Sequence, residues 1–147
     1  MTTSSGFSAS STTDEVLSGI DLSGKRYLVT GASGGLGLET SRALAASGAT
    51  VVMAARNAAK NEAAIATIKE QHPQARLETL TIELGSLASV RVAASEFVAR
   101  GVPLHGLILN AGIMATPQER TIDGFESQFG VDHLGHFLLA RELLPLL

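Results

Sequence analysis

Lys25-Arg-Tyr-Leu-Val-Thr-Gly-Ala-Ser-Gly-Gly-Leu-Gly37 decides how this chain is read. Lys25 to Thr30 has the length and the Tyr-Leu-Val-Thr character of a short buried strand. Glycines follow at once, and Leu36 to Ser47 is then alanine-rich and helical. Glycine permits positive φ and close approach of a ligand to the backbone. A helix start offers unpaired N–H groups and the positive end of the helix dipole, which suit a pyrophosphate. Taken alone, the stretch also reads as a plain glycine-rich turn. Its place after a first strand and before a first helix is what phosphate binding requires. The spacing is Gly31-x-x-x-Gly35-x-Gly37, not the commoner Gly-x-Gly-x-x-Gly.

Outward from this loop, Gly48 sits where a helix C-cap belongs, and Thr50 to Ala55 is a second apolar run. Asn57 caps a helix over 58–71 that carries Ile65 and Ile68 on one face, and His72-Pro73 ends it. Leu77 to Ile82 alternates as a third strand. Ser86 caps a helix with Leu87, Val90, Ala94, Phe97 and Val98 at helical spacing. Leu104 to Leu109 is the fourth strand. A last helix is expected from about Asp123 to Leu147, with Phe125, Phe129, Phe137 and Leu138 on it. Strands alternating with helices predict an α/β fold, a Rossmann-type doubly wound parallel sheet with flanking helices. Residues 1–13 read as a disordered Ser/Thr-rich tail, and residues 14–147 as a nucleotide-binding half-domain.

Composition narrows the partners. A net charge of −3 without a basic cluster argues against nucleic acid and anionic membranes. No stretch reaches the roughly 20 apolar residues of a membrane span. The absence of cysteine removes disulfides, thiolate nucleophiles and cysteine–zinc sites, and it fits a reducing, cytoplasmic setting. His133 and His136 stand three apart on the last helix, but no His-Glu-x-x-His motif or third ligand lies nearby, so no metal is expected. His72 and His105 read as surface or strand-edge residues.

The glycine spacing, Asn110-Ala-Gly112 after the fourth strand, Ile113-Met-Ala-Thr-Pro117, Thr121-Ile-Asp-Gly-Phe-Glu126 and Phe129-Gly-Val-Asp-His-Leu-Gly-His-Phe137 together resemble one family. This is the short-chain dehydrogenase/reductase family, in its single-domain, retinol-dehydrogenase-like branch. The likeness covers roughly residues 16–147. It implies strand order 3-2-1-4 and hydride transfer between NADP(H) or NAD(H) and a small-molecule carbonyl or alcohol. The residues it points to for the cofactor are Gly31, Ser33, Gly35, Leu36, Gly37, Arg56, Glu83, Leu84, Asn110, Ala111 and Gly112.

The second strand ends Met53-Ala-Ala-Arg56-Asn57, with no carboxylate for the ribose 2′-OH that an NAD site usually bonds. Arg56 offers a planar charged fork to a 2′-phosphate, so NADP(H) is favoured over NAD(H). The alternative is that Arg56 only solvates a loop. Glu83-Leu84 stands where the resemblance implies Asp-Leu, whose carboxylate accepts from the adenine amino group.

Asp132 occupies the position of the catalytic Asn that the resemblance implies. An ionised carboxylate only accepts hydrogen bonds, whereas an amide also donates. Its charge would raise the pKa of the nearby lysine of such a site, so reduced activity is expected. The remaining catalytic residues of that family are a Ser and a Tyr-x-x-x-Lys. The single tyrosine here is Tyr27, in the first strand, and no Tyr-x-x-x-Lys occurs. The chain is therefore expected to be an N-terminal fragment, inactive alone, with its fourth strand left as an edge. The resemblance also implies that Leu143-Leu-Pro-Leu-Leu147 presents an apolar face to a homo-oligomer contact. A non-catalytic dinucleotide-binding module, or the product of a degenerating gene, are the competing readings.

Overall fold

A computed structural model of the chain describes residues 6–147. Four parallel strands form one sheet in the order β3-β2-β1-β4: β1 Arg26–Thr30, β2 Thr50–Ala55, β3 Arg76–Thr81 and β4 Gly106–Ile108. Between them run α2 Gly35–Ala46, α3 Ala58–Gln71 and α4 Leu87–Ala99, after a short α1 Thr13–Leu17. The chain closes with a π-helix Phe129–Gly135, α5 His136–Leu143 and a 3₁₀ turn Leu144–Leu146.

Successive strand residues face opposite sides, and both sides are covered. Val29, Val51 and Met53 face a core closed by Ala45, Ala64 and Ile68 of α2 and α3. Leu28, Val52, Ala54 and Leu80 face a second core holding Val90 and Phe97 of α4 and Leu138, Leu139 and Leu143 of α5. Phe97 is wholly buried, and truncating a buried Phe of this kind costs about 3–5 kcal/mol.

Local chemistry sets most boundaries. The Asn57 side chain accepts from Lys60 N, and that of Ser86 from Ser89 N; each such cap contributes about 1 kcal/mol. Gly48, with φ +95°, follows the α2 C-cap.

Three boundaries differ from expectation. Thr12 and Thr13, assigned to the tail, instead start α1, where Thr12 and Glu15 cap one another's backbone N–H. Residues 1–5 of that tail lie outside the described residues. β4 is three residues long rather than six, because both ends bond elsewhere. Leu104 N donates to the Leu146 carbonyl at 2.9 Å, and Asn110 N donates to the Thr30 hydroxyl at 3.0 Å. Leu104 is buried rather than lining the edge.

The last helix starts later than Asp123. Residues 121–124 close a turn, with Gly124 at φ +86°, and Arg120 bridges Glu126 in antiparallel fashion. Asp123 instead accepts from Leu87 N of α4 at 2.8 Å. The Glu126 carboxylate accepts from Phe129 N and Gln128 N, and these bonds hold its pKa below the ordinary value. That helix is also wound as a π-helix before it becomes α5, which periodicity alone does not reveal.

Candidate nucleotide-binding site

The strand order reverses between β1 and β4, and open α/β sheets bind ligands at the carboxyl ends of the strands at such a point. A cleft of about 340 Å³ lies there. Its floor and walls are Thr30, Gly31 and Ser33 from the first loop, Ala54 to Asn57 from the second, Ile82 to Leu84 from the third, and Ala111 to Ile113 from the fourth. Lys60 and Val131 complete the lining.

The glycine loop is shaped by close approach. Gly31 has φ +67°, and a Cβ there would sit 2.9 Å from Ala111 Cα. A Cβ on Gly37 would run into the Gly31 carbonyl oxygen and come within 2.5 Å of Asn110 Nδ2. These two glycines let the first turn of α2, the loop and the Asn-Ala-Gly turn pack as one body. Gly37 and Asn110 are thus packed against the loop and do not line the cleft. Gly35, at φ +54°, has open space around it, and Leu36 projects outward at 81% exposure. The α2 N-cap, Gly34, supplies no side-chain acceptor, unlike Asn57 on α3 or Ser86 on α4. Backbone that close to the cleft, with bare N–H groups at a helix start, fits a phosphate-bearing ligand.

The charged rim is split. Arg56 is 76% exposed and Glu83 lies 3.7 Å from it. The other Glu83 carboxylate oxygen accepts from Gly85 N at 3.0 Å, so the side chain is folded into its own loop. Lys60, one turn into α3, brings a second cation to the Arg56 side of the cleft. Sequence reading missed it. Its only signal was its place three residues after a helix cap that itself follows a strand end.

Thr30 and His136 were likewise missed. Thr30, wholly buried, accepts from Asn110 N and Ala111 N, each at 3.0 Å, and its hydroxyl lies 2.8 Å from His136 Nε2. Asn110 Nδ2 donates to the Thr30 carbonyl at 3.0 Å. Asp132 Oδ1 accepts from Ile113 N at 2.9 Å. The acceptor-only carboxylate is thus used on a backbone N–H. His133 and His136 do not converge: His133 stacks between Phe129 and Phe137, while His136 is buried against Thr30. Among the described residues no group of three or more His, Asp or Glu could hold a metal ion, and no helix is long and apolar enough to cross a membrane.

A parallel sheet in this order, with a glycine loop and an Asn-Ala-Gly turn at its carboxyl edge, defines a Rossmann-type nucleotide-binding fold. Residues 25–147 match the short chain dehydrogenase family, and the chain belongs to that family of oxidoreductases. It is 42% identical over 146 residues to the human WW domain-containing oxidoreductase, covering 99% of this chain and 35% of that protein. A crystal structure of an uncharacterised protein from Mycobacterium paratuberculosis superposes with a TM-score of 0.75 at 45% identity, over 86% of this chain and 44% of the other. The RhlG/NADP active-site complex of Pseudomonas aeruginosa gives 0.73 at 27% identity, over 86% and 49%. The chain thus spans about a third of the length of the human relative, and under half of either solved chain.

Proposed function

We propose that this chain supplies the NADP(H)-binding half of a reductase or dehydrogenase acting on a small carbonyl or alcohol substrate. The observation that carries the reading is the cationic rim. Arg56 and Lys60 border the cleft after β2, where an NAD site would place a carboxylate. A guanidinium fork and an ammonium suit the 2′-phosphate of NADP(H). The cofactor, when bound, supplies the hydride. Gly31, Ser33 and the start of α2 take the pyrophosphate, while Ala111 and Gly112 form the opposite wall. Glu83 lies 3.7 Å from Arg56 at the rim, and the Pseudomonas aeruginosa RhlG/NADP complex shares the fold.

Calorimetry with NADPH and NADH on the wild-type chain and on Arg56→Ala tests this. Losing a charge-assisted pair should weaken NADPH about 10- to 100-fold and leave NADH nearly unchanged. Equal weakening of both would sink it. Asp132, at the position of the catalytic Asn, favours a second reading: a module that binds nucleotide without turning over. Nucleotide binding with no NADPH oxidation against carbonyl substrates is the expected behaviour of this chain by itself. The cytoplasm is the compartment we assign, on the cysteine-free sequence.

A further inference from the structure

The hydrogen-bond count around Thr30 determines the state of a buried histidine that the cofactor reading leaves without a role. A hydroxyl has one proton and two lone pairs. Both lone pairs of Thr30 Oγ1 are taken by Asn110 N–H and Ala111 N–H. Its proton can only go to His136 Nε2, 2.8 Å away. Nε2 is then the bare nitrogen, Nδ1 carries the ring proton, and Nδ1–H donates to the Asp132 carbonyl at 3.0 Å. The Asp132 carboxylate in turn accepts from Ile113 N. The bonds close a ring: Thr30 to Asn110 and Ala111, along the chain to Ile113, across to Asp132, through His136 and back to Thr30. Inside that ring lies the Asn-Ala-Gly turn, whose Ala111 and Gly112 wall the cleft. The turn is thereby clamped between β1 and the π-helix, two elements far apart in sequence.

We propose that His136, held as the neutral Nδ1–H tautomer, is a positioning residue that fixes the Asn-Ala-Gly turn for nucleotide binding. It touches no ligand and acts through Thr30 and Asp132. The proposal rests on the cofactor reading of the cleft, but its chemical content, the tautomer, is independent of it.

Long-range ¹⁵N–¹H correlation spectra of the histidine rings in this chain test the tautomer, with His136→Phe assigning the signal. The expected result is a pyridine-type Nε2 and a pyrrole-type Nδ1 in wild type and in Thr30→Ser. The Nε2 signal should shift in Thr30→Val, which removes the Nε2 partner and leaves the Nδ1–H bond to the Asp132 carbonyl. A protonated Nε2, or an unshifted Nε2 signal in Thr30→Val, overturns the proposal. Calorimetry with NADPH then tests the consequence. His136→Phe and Thr30→Val should each weaken binding about tenfold, the effect of losing one or two such bonds, while the exposed His133→Phe leaves it unchanged. Unchanged affinity in a cooperatively melting His136→Phe overturns the positioning role. If the wild-type chain binds neither NADPH nor NADH, the cofactor reading fails, and with it the positioning role; the spectra still decide the tautomer.

Discussion

Gly37 carries a sharper constraint than its place in a glycine-rich loop suggests. Its α-carbon faces the Gly31 carbonyl and the Asn110 amide, and Asn110 is itself bonded to the Thr30 carbonyl. A methyl group there must push α2 off the loop. Gly37→Ala should lower unfolding stability in urea by about 1–3 kcal/mol, the usual range for overpacking. Gly34→Ala is the matched control. Its φ of −174° is extended backbone that any residue adopts, and nothing lies within 4 Å of a Cβ. That change should cost less than about 1 kcal/mol. Equal losses in both variants would mean the loop tolerates no side chain anywhere, and the close-approach argument would fail. The glycine spacing in the sequence marked the loop but not which glycine touches what. Likewise Arg56 was legible because it abuts a strand end, whereas Thr30 and His136, 106 residues apart, look unrelated until the sheet brings them together.

The elements that sequence reading placed best carry their own boundary signals. β2 and α3 fall where expected because Asn57 caps one helix end and His72-Pro73 closes the other. The final helix was misjudged because its start depends on tertiary partners, with Asp123 drawn to α4 and Glu126 to the π-helix. α1 was missed for a related reason. It is five residues long, contributes no buried residue, and is held by charge. Arg42 of α2 donates to Asp14 at 2.8 Å and to Glu39 at 2.7 Å, and also bonds Thr13, which donates to Glu39. The Arg42 bonds, then the Thr13 bond, hold the Glu39 carboxyl at about 2, down from its ordinary 4.5. A depressed carboxylate stabilises the fold above its unfolded value, and that contribution is lost as pH falls from 4.5 through about 2. Glu39→Gln should therefore flatten the acid limb of the stability–pH curve in that window. Glu39 is 45% exposed, so screening keeps the effect small. Hydrogen exchange at residues 13–17 should also quicken at neutral pH. An acid limb identical to wild type would assign that limb to other carboxylates.

At the scale of the whole molecule, the β4 edge of the sheet has no strand partner among the described residues. β4 pairs with β1 on one edge and with no strand on the other. Nearby in the chain, Phe129 and Phe137 flank His133 in a stacked row that is half-exposed or more, and Leu144 and Leu147 are 65% and 55% exposed. The apolar end of α5 is therefore shared. Leu143 packs inward against the sheet, as do Leu138 and Leu139, and only the opposite side faces water. A short open strand favours association by strand addition, and exposed aromatic rings favour it by apolar burial. Light scattering after size-exclusion chromatography should find this chain larger than a monomer at micromolar concentration. Phe137→Glu should raise the monomer fraction, because it places charge on the row without touching the buried Leu138 and Leu139. A monodisperse, cooperatively melting wild-type monomer would show that three residues of β4 are too few to recruit a neighbour, and that the stacked row is self-sufficient.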